Sequence, residues 1–249
     1  MKKPDVAVSA VNLTRRFDGF TAVDSISLDI HRGEIFGFLG ANGAGKTTAI
    51  RMFCGLLEPT AGSATVGGID VARNPEQVKQ AIGYMSQKFS LYEDLTVREN
   101  IEFYGGVYGL TRSQIRERLH RLLEELNLGE QQNTVTGELP LGWKQRLALS
   151  AALLHNPDIV FLDEPTGGVD PISRRNFWRI IHDLGESGKT IFVTTHYMDE
   201  AEYCNRLSIM YHGKIIEMGT PSELKQRHSC TSMQQVFLHL VGKRGGADE

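Results

Sequence analysis

A glycine-rich stretch at residues 40–48 carries the clearest chemistry in the 249-residue chain. It fits the pattern G-x-x-x-x-G-K-[ST], in which backbone N–H groups surround a phosphate, the lysine reaches the outer phosphates and the hydroxyl serves magnesium. A strand-like run at residues 35–39 precedes it and a helix-like run at 48–57 follows. This context favours a P-loop over a glycine-rich turn with an incidental lysine. The predicted nucleotide-binding residues are Gly40, Ala41, Asn42, Gly43, Ala44, Gly45, Lys46, Thr47 and Thr48.

Residues 159–164 form a second chemical motif, because the apolar run Ile-Val-Phe-Leu ends in Asp163 and Glu164. Open α/β sheets bind ligands at the carboxyl ends of their strands, and the pattern is that of a Walker B motif. We expect Asp163 to hold magnesium beside Thr47. We expect Glu164 to orient or deprotonate the water that attacks the γ-phosphate. The alternative, an acidic pair in a strand-to-turn segment, has less support beside a P-loop.

The elements that must position these motifs alternate between strand-like and helix-like patterns, which predicts an α/β fold. Two half-buried strands are predicted at residues 6–14 and 23–30, and a helical pattern begins at Thr96 with a capping box. We expect one domain. Its parts are a nucleotide-binding core at 1–88 and 156–225, an inserted helical subdomain at 89–155, a C-terminal helix at 230–242 and a disordered tail at 243–249.

Shorter patterns predict the remaining elements. Residues 70–83 are polar and poorly periodic, so no element is predicted there. A helix is expected at 142–154 within the helical subdomain. The other predicted elements are strands at 63–66, 158–162, 190–195, 206–211 and 214–218 and helices at 171–184 and 198–204.

Whole-chain composition restricts the class of protein. With 41% hydrophobic residues, the chain can bury a substantial core. A net charge of −3 gives no electrostatic reason to bind nucleic acid, so no nucleic-acid partner is expected. Three scattered cysteines without metal-ligand spacing point to a reducing compartment. No apolar run approaches the roughly 18 to 20 residues that span a bilayer, so we expect no membrane-spanning segment.

Three further motifs accompany the P-loop and the acidic pair. Gln87 follows the run Ile-Gly-Tyr-Met-Ser, the sequence Val-Asp-Pro occupies 169–171, and His196 follows the strand end Val-Thr-Thr. In their order and spacing, over about residues 5–240, the motifs resemble those of ABC transporter ATPase subunits. The details look most like the subunits of ABC-2-type exporters. The resemblance implies a P-loop NTPase fold with a RecA-like core, an antiparallel β part and an inserted helical subdomain.

The resemblance also implies an ATPase that uses ATP and Mg2+, and it assigns roles within the site. Lys46, Glu164 and His196 are then the catalytic residues, with His196 contacting the γ-phosphate. Gln87 is the Q-loop glutamine, which senses both magnesium and the membrane partner. The implied metal-binding residues are Thr47, Gln87 and Asp163.

Two further nucleotide-binding residues follow from the resemblance. Phe17 stands where the family places an aromatic ring that stacks on adenine, which any flat π-face permits. Phe20 is a rival for that role, and a core position is the alternative for Phe17. Asp170 lies in the D-loop, which meets the second ATPase subunit.

The chain departs from the family where the signature Leu-Ser-Gly-Gly-Gln is expected. Residues 139–145 read Leu-Pro-Leu-Gly-Trp-Lys-Gln, so that Pro140 and Leu141 replace a serine and a glycine, and Gly142 remains. Pro140 has neither the hydroxyl nor the N–H that serine offers to a γ-phosphate, and Leu141 brings a side chain to a place of close backbone approach. The D-loop also carries glycine where serine is usual. We expect the three signature positions to bind the partner's nucleotide weakly.

The implied partners are a second ABC ATPase, identical or different, in a head-to-tail pair, and ABC-2-type transmembrane subunits. The transmembrane subunits would dock on an apolar groove near 87–97, or its residues would simply pack the helical subdomain. The implied location is the cytoplasmic face of the cell membrane, as a peripheral subunit. The alternatives are an ABC ATPase acting on DNA or ribosomes and a regulator that binds ATP without hydrolysing it. The groove residues are Phe89, Leu91, Tyr92 and Leu95.

Overall fold

Ten strands and eight helices form the part of the chain that the computed structural model describes, residues 6–125 and 128–245. The strands are β1 (Val6–Phe17), β2 (Phe20–His31), β3 (Ile35–Leu39), β4 (Ala61–Val66), β5 (Ile69–Asp70), β6 (Ile82–Met85), β7 (Ile159–Asp163), β8 (Thr190–Thr195), β9 (Arg206–Tyr211) and β10 (Lys214–Gly219). The helices are α1 (Lys46–Phe53), α2 (Pro75–Ala81), α3 (Val97–Val107), α4 (Arg112–Glu125), α5 (Leu141–Leu153), α6 (Pro171–Glu186), α7 (Pro221–Arg227) and α8 (Met233–Gly245).

Two sheets divide the strands between them. The first is antiparallel, in the order β2-β1-β4-β5. The second has the order β10-β9-β3-β8-β7-β6, in which every pair is parallel except β9 and β10. The expected α/β fold with an antiparallel β part is therefore confirmed.

The central strands β3, β7 and β8 are buried along their whole length. Their near-continuous apolar sequences suit parallel strands that are covered on both faces. Because the three strands are parallel neighbours, their carboxyl ends meet at one edge of the sheet. That edge brings together residues that are more than a hundred positions apart in sequence.

Helices α3, α4 and α5 form the segment inserted between β6 and β7. Helix α3 begins at Thr96, whose hydroxyl accepts the Glu99 N–H while the Glu99 carboxylate accepts the Thr96 N–H, as the capping box predicts. Apolar side chains of all three helices pack into one cluster with the central sheet. No helix in the described ranges, 6–125 and 128–245, is long and apolar enough to cross a membrane.

Short helices account for most differences between the predicted and observed elements. Residues 70–83 contain α2, whose seven residues bury only Val78, so the sequence shows no helical period. Helix α7 was likewise not predicted. The prediction of a helix at 198–204 was wrong, because only a 3-10 turn at Glu200–Tyr203 forms there. Helix α8 continues beyond 242 to Gly245, and the rest of the expected disordered tail, 246–249, lies outside the described residues.

His155 joins the inserted helices to the core. Its ring stacks on Tyr108 with 3.8 Å between the centroids, and its Nε2 lies 3.0 Å from the carbonyl oxygen of Ile82. Burial lowers the pKa of His155 from its ordinary value to about 4, and the charges of Arg118 and Lys189 act in the same direction. The neutral ring is therefore the folded form.

This burial predicts a pH dependence of stability. Between about pH 6.5 and pH 4 the unfolded chain binds a proton at His155 that the folded chain excludes, so the free energy of unfolding falls as the pH falls through this window. In His155→Gln the decline should be shallower, as measured by urea unfolding at several pH values. His120→Gln, an exposed change on α4, is the control. Equal pH slopes for His155→Gln and the unaltered chain would contradict the prediction.

Candidate functional site

The P-loop joins β3 to α1 at the edge where the central strands end. Gly45 caps α1 with a φ of 105°, and a Cβ there would lie 2.3 Å from the Ala22 carbonyl oxygen. A Cβ on Gly40 would lie 2.5 Å from the carbonyl oxygen of Met210. Both positions therefore require glycine, and the loop is held between β2 and β9 with its N–H groups at a helix N-terminus.

Lys46 lies beneath this loop and is 4% exposed. Its ammonium group donates to the carbonyl oxygens of Gly40 at 2.8 Å and Ala41 at 3.1 Å. It also lies 3.1 Å from Oε1 of Glu164. Three acceptors thus match the three N–H bonds of the ammonium group.

Asp163 ends β7 beside the P-loop. Its Oδ1 accepts the hydroxyl of Thr47 at 3.3 Å and that of Thr194 at 2.7 Å. Burial raises the pKa of Asp163, while the Thr194 and Thr47 hydrogen bonds oppose the rise. Thr194, on β8, was not predicted as a site residue, because a threonine in a buried strand carries no sequence signal of its own.

Glu164 follows with a φ of 47°, a left-handed conformation that is uncommon outside glycine and recurs at active sites. Its N–H donates to Thr194, whose hydroxyl oxygen lies 2.9 Å away. Its Oε2 lies 3.0 Å from His196 Nδ1 and accepts the side-chain amide of Gln87 at 3.1 Å. The structure therefore brings Lys46, Gln87 and His196 together on one carboxylate.

The side chains of Thr47, Asp163 and Gln87 offer a hydroxyl, a carboxylate and an amide oxygen. These are the hard oxygen donors that Mg²⁺ prefers. Thr47 and Asp163 already contact each other, and Gln87 reaches the neighbouring Glu164. The residues therefore fit the expected metal, which would neutralise charge between the outer phosphates of a nucleotide.

Pro140, Leu141, Gly142 and Asp170 lie elsewhere, around a cavity of about 330 Å³. None of the described residues that line this cavity belongs to the P-loop. A Cβ on Gly168 would lie 3.4 Å from Leu141 Cδ2, so the D-loop and the altered signature are neighbours. One chain thus presents two separate sets of the predicted binding residues.

The signature and the D-loop each begin a helix. Pro140 is the N-cap of α5 without a side-chain cap, and its carbonyl oxygen accepts the N–H of Trp143 at 2.9 Å. Asp170 caps α6 through the N–H groups of Ile172 and Ser173. The hydrogen bonds from Ser173 lower the pKa of Asp170. The Asp170 carboxylate is thus already used within its own chain.

Phe17 and Phe20 face each other across the turn between β1 and β2 and are 44% and 61% exposed. The guanidinium of Arg15 lies 4.6 Å from the centroid of the Phe17 ring. Neither side chain lies in the core, so each ring keeps exposed surface on which a base can stack. The strand that leaves this turn contacts the P-loop at Ala22.

The P-loop, the Walker B pair and the buried parallel strands define the class of P-loop ATPases. The sequence model of the ABC transporter family matches residues 23–167, more than half of the chain. The chain therefore belongs to the ABC transporter family, as an ATP-binding domain. At the level of the family, the predicted ATPase class and the P-loop NTPase fold are confirmed.

Curated relatives support this assignment. The chain is 48% identical over 242 residues to a probable multidrug ABC transporter ATP-binding protein, YbhF, of Escherichia coli strain K12, and the match covers 95% of the chain but 42% of the relative. The chain thus spans less than half of that protein. It is 38% identical over 247 residues to the daunorubicin/doxorubicin resistance ATP-binding protein DrrA of Streptomyces peucetius, which covers 99% of the chain and 74% of the relative.

A solved structure has the same fold. It is a dimeric post-hydrolysis state of the ATP-binding cassette MJ0796 bound to ADP and Pi. The TM-score is 0.78 at 26% identity, and the match covers 86% of this chain and 98% of the cassette. That cassette therefore dimerises and binds nucleotide.

Thr194 provides a test of the magnesium site. Thr194→Val removes the hydroxyl bonded to Asp163, and we expect a higher Mg²⁺ concentration for half-maximal ATP binding. Thr190→Val removes a buried hydroxyl that accepts the Gly33 N–H at the other end of β8. Both variants should lose about 1 to 3 kcal/mol of stability. The same magnesium dependence in both variants would show that Thr194 acts only through stability.

Proposed function

We propose that this chain is the ATP-hydrolysing motor subunit of an ABC-2-type exporter. The observation that supports this most directly is the convergence of Lys46, Gln87 and His196 on the Glu164 carboxylate. A protein that only binds nucleotide has no need of a carboxylate held between a phosphate-binding lysine and a histidine. The names of the multidrug and daunorubicin/doxorubicin resistance relatives support export as the process.

Each predicted site residue then has one role in ATP binding or hydrolysis. The P-loop N–H groups and Lys46 bind the phosphates of ATP. Glu164 orients the attacking water and accepts its proton, and His196 contacts the γ-phosphate. Thr47, Asp163 and Gln87 would hold magnesium, which would neutralise charge on the outer phosphates. Phe17 stacks on the adenine.

ATP binding also changes the pairing of Glu164. Lys46 has no N–H left over, because Gly40, Ala41 and Glu164 accept all three. Phosphate oxygens can bind this ammonium group only by replacing one of these acceptors. Replacement of Glu164 frees Oε1 for the attacking water, so substrate binding prepares the base.

Two chains complete two sites in a head-to-tail pair. Each nucleotide lies between the P-loop of one chain and the signature cavity of the other, which is why these sets are separate in a single chain. Leu141 and Ile172, next to this cavity, are 41% and 74% exposed, as expected of apolar side chains at an interface. Pro140 and Leu141 make this signature a weak partner, so the chain works best beside a subunit with an intact one.

The transmembrane subunits dock beside the Q-loop, on the cytoplasmic face of the membrane. Phe89 and Leu91 pack against the helical subdomain, so they are only partly available. Tyr92 and Phe103, with ring centroids 4.6 Å apart, and Val107 are exposed and extend the apolar surface along α3. The partner would contact this surface and would affect Glu164 through the hydrogen bond from Gln87.

Glu164→Gln tests hydrolysis. Loss of the base should lower kcat by about 10²- to 10⁴-fold. ATP binding should persist, and an ATP-bound dimer should accumulate, as measured by ATPase assay and by size-exclusion chromatography with ATP. Glu186→Gln, an exposed change at the end of α6, is the control. A regulator that only binds ATP would show no turnover in the unaltered chain, and Glu164→Gln would leave its oligomeric state with ATP unchanged.

The weak signature can be tested by repairing it. Pro140→Ser with Leu141→Gly restores a hydroxyl and room for backbone approach, and it should raise the ATPase rate of the purified chain severalfold. Pro140→Ala, which removes the proline without adding a hydroxyl, is the control. Mixing the unaltered chain with a repaired Glu164→Gln chain should also raise the rate. A full rate from the unaltered chain alone would contradict the asymmetric pair.

A further inference from the structure

Glu200 is a fully buried carboxylate with no part in the site described so far. Its Oε1 accepts the hydroxyl of Thr166 at 2.5 Å, and its Oε2 accepts the hydroxyl of Thr195 at 2.5 Å. Thr166 is two residues after Glu164, and Thr195 immediately precedes His196. One side chain therefore connects the backbone segments that carry the base and the histidine.

These contacts are strong ones. Both distances lie in the short range of hydrogen bonds from a hydroxyl to an ionised carboxylate. Arg174 balances the buried charge, with its Nε 3.7 Å from Oε1. The same guanidinium lies 3.7 Å from the centroid of the Tyr197 ring, next to His196. Glu200 thus contacts Thr195 and Arg174 contacts Tyr197, the two residues that flank His196 in sequence.

The Thr195 hydroxyl also accepts the N–H of Tyr197 at 3.0 Å. The bond to Glu200 therefore fixes the orientation of the hydroxyl that shapes the turn at His196. Loss of the Glu200 acceptor would free this turn. The distance between His196 and Glu164 would then be set by the strand ends alone.

The segment at Thr166 is tied to the signature helix as well. The carbonyl oxygen of Pro165 accepts the side-chain amide of Gln145, a buried residue of α5. Gly168, two residues beyond Thr166, lies next to Leu141 at the signature cavity. Hydrogen bonds and van der Waals contacts therefore connect this cavity through Thr166 and Glu200 to His196.

We propose that Glu200 is a positioning residue for ATP hydrolysis. It fixes His196 relative to Glu164 and makes that position depend on residues 165–170, which border the signature cavity. A second subunit that displaces residues 165–170 thereby changes the place of His196. The inference rests on the proposed catalytic roles of Glu164 and His196.

Glu200→Gln is the first test, because it keeps the shape of the side chain and removes its charge. A shift in the position of His196 should lower kcat by about 10-fold or more. KM should change by less than about twofold, because the P-loop N–H groups and Lys46 still bind the phosphates. Glu202→Gln, two residues further and exposed in its ion pair with Lys225, is the control and should leave both unchanged. Unchanged kcat in Glu200→Gln would overturn the proposal.

Threonine variants separate the hydroxyl from the packing. Thr166→Val and Thr195→Val remove a hydroxyl and should lower kcat as Glu200→Gln does, whereas Thr166→Ser and Thr195→Ser keep it and should retain activity. Because the residues act as one unit, Thr166→Val with Glu200→Gln should lose no more than the larger single loss. Multiplying losses, or equal losses in the serine and valine variants, would overturn the proposal. If Glu200→Gln does not fold, the threonine variants still test whether these hydroxyl contacts position His196.

A second readout does not depend on turnover. The imidazole NMR signals of His196, assigned with His196→Gln, should shift in Glu200→Gln and remain in place in Glu202→Gln. His196→Ala tests the underlying assignment separately. Full activity of His196→Ala would reject the catalytic role of the histidine. Loss of activity in His196→Ala with unaltered signals and kcat in Glu200→Gln would reject only the positioning role.

Discussion

The contact between Lys46 and Glu164 is the interaction on which the rest of the site depends. Both side chains are less than a tenth exposed, so each charge needs the other. Removing one partner of such a buried pair typically costs about 3 to 5 kcal/mol, because the remaining charge stays uncompensated. The backbone must therefore hold the two residues together, although 118 positions separate them in sequence.

Strand register supplies that constraint. Leu39, which precedes the P-loop, lies opposite Thr195, and Asp163 lies opposite Thr194. A slip of one residue would turn every side chain of a strand to the other face. Buried apolar side chains on both faces of β3, β7 and β8 fix the register, and the register places the P-loop, the carboxylates and the histidine segment at one edge. The packing of the core thus determines the relative positions of the predicted site residues.

The P-loop and the signature cavity use different parts of this scaffold. The P-loop depends on β3 and on contacts to Ala22 and Met210, whereas the cavity lies between the N-termini of α5 and α6. The altered signature residues line the cavity and make none of these P-loop contacts. The departures from the family pattern therefore lie away from the P-loop, and hydrogen bonds at residues 165 and 166 tie the cavity side to the strand edge.

The sequence alone determined the chemical inventory. Spacing identified Lys46, Asp163 and Glu164, and buried strand patterns identified the α/β fold, because phosphate loops and parallel strands leave strong local signals. Gln87 and His196 became recognisable only through resemblance to a family. The tertiary structure determined which side chains are in contact. Thr194 and Glu200 have no local pattern, since a buried hydroxyl or carboxylate gains its role from partners that only the fold brings within 3 Å.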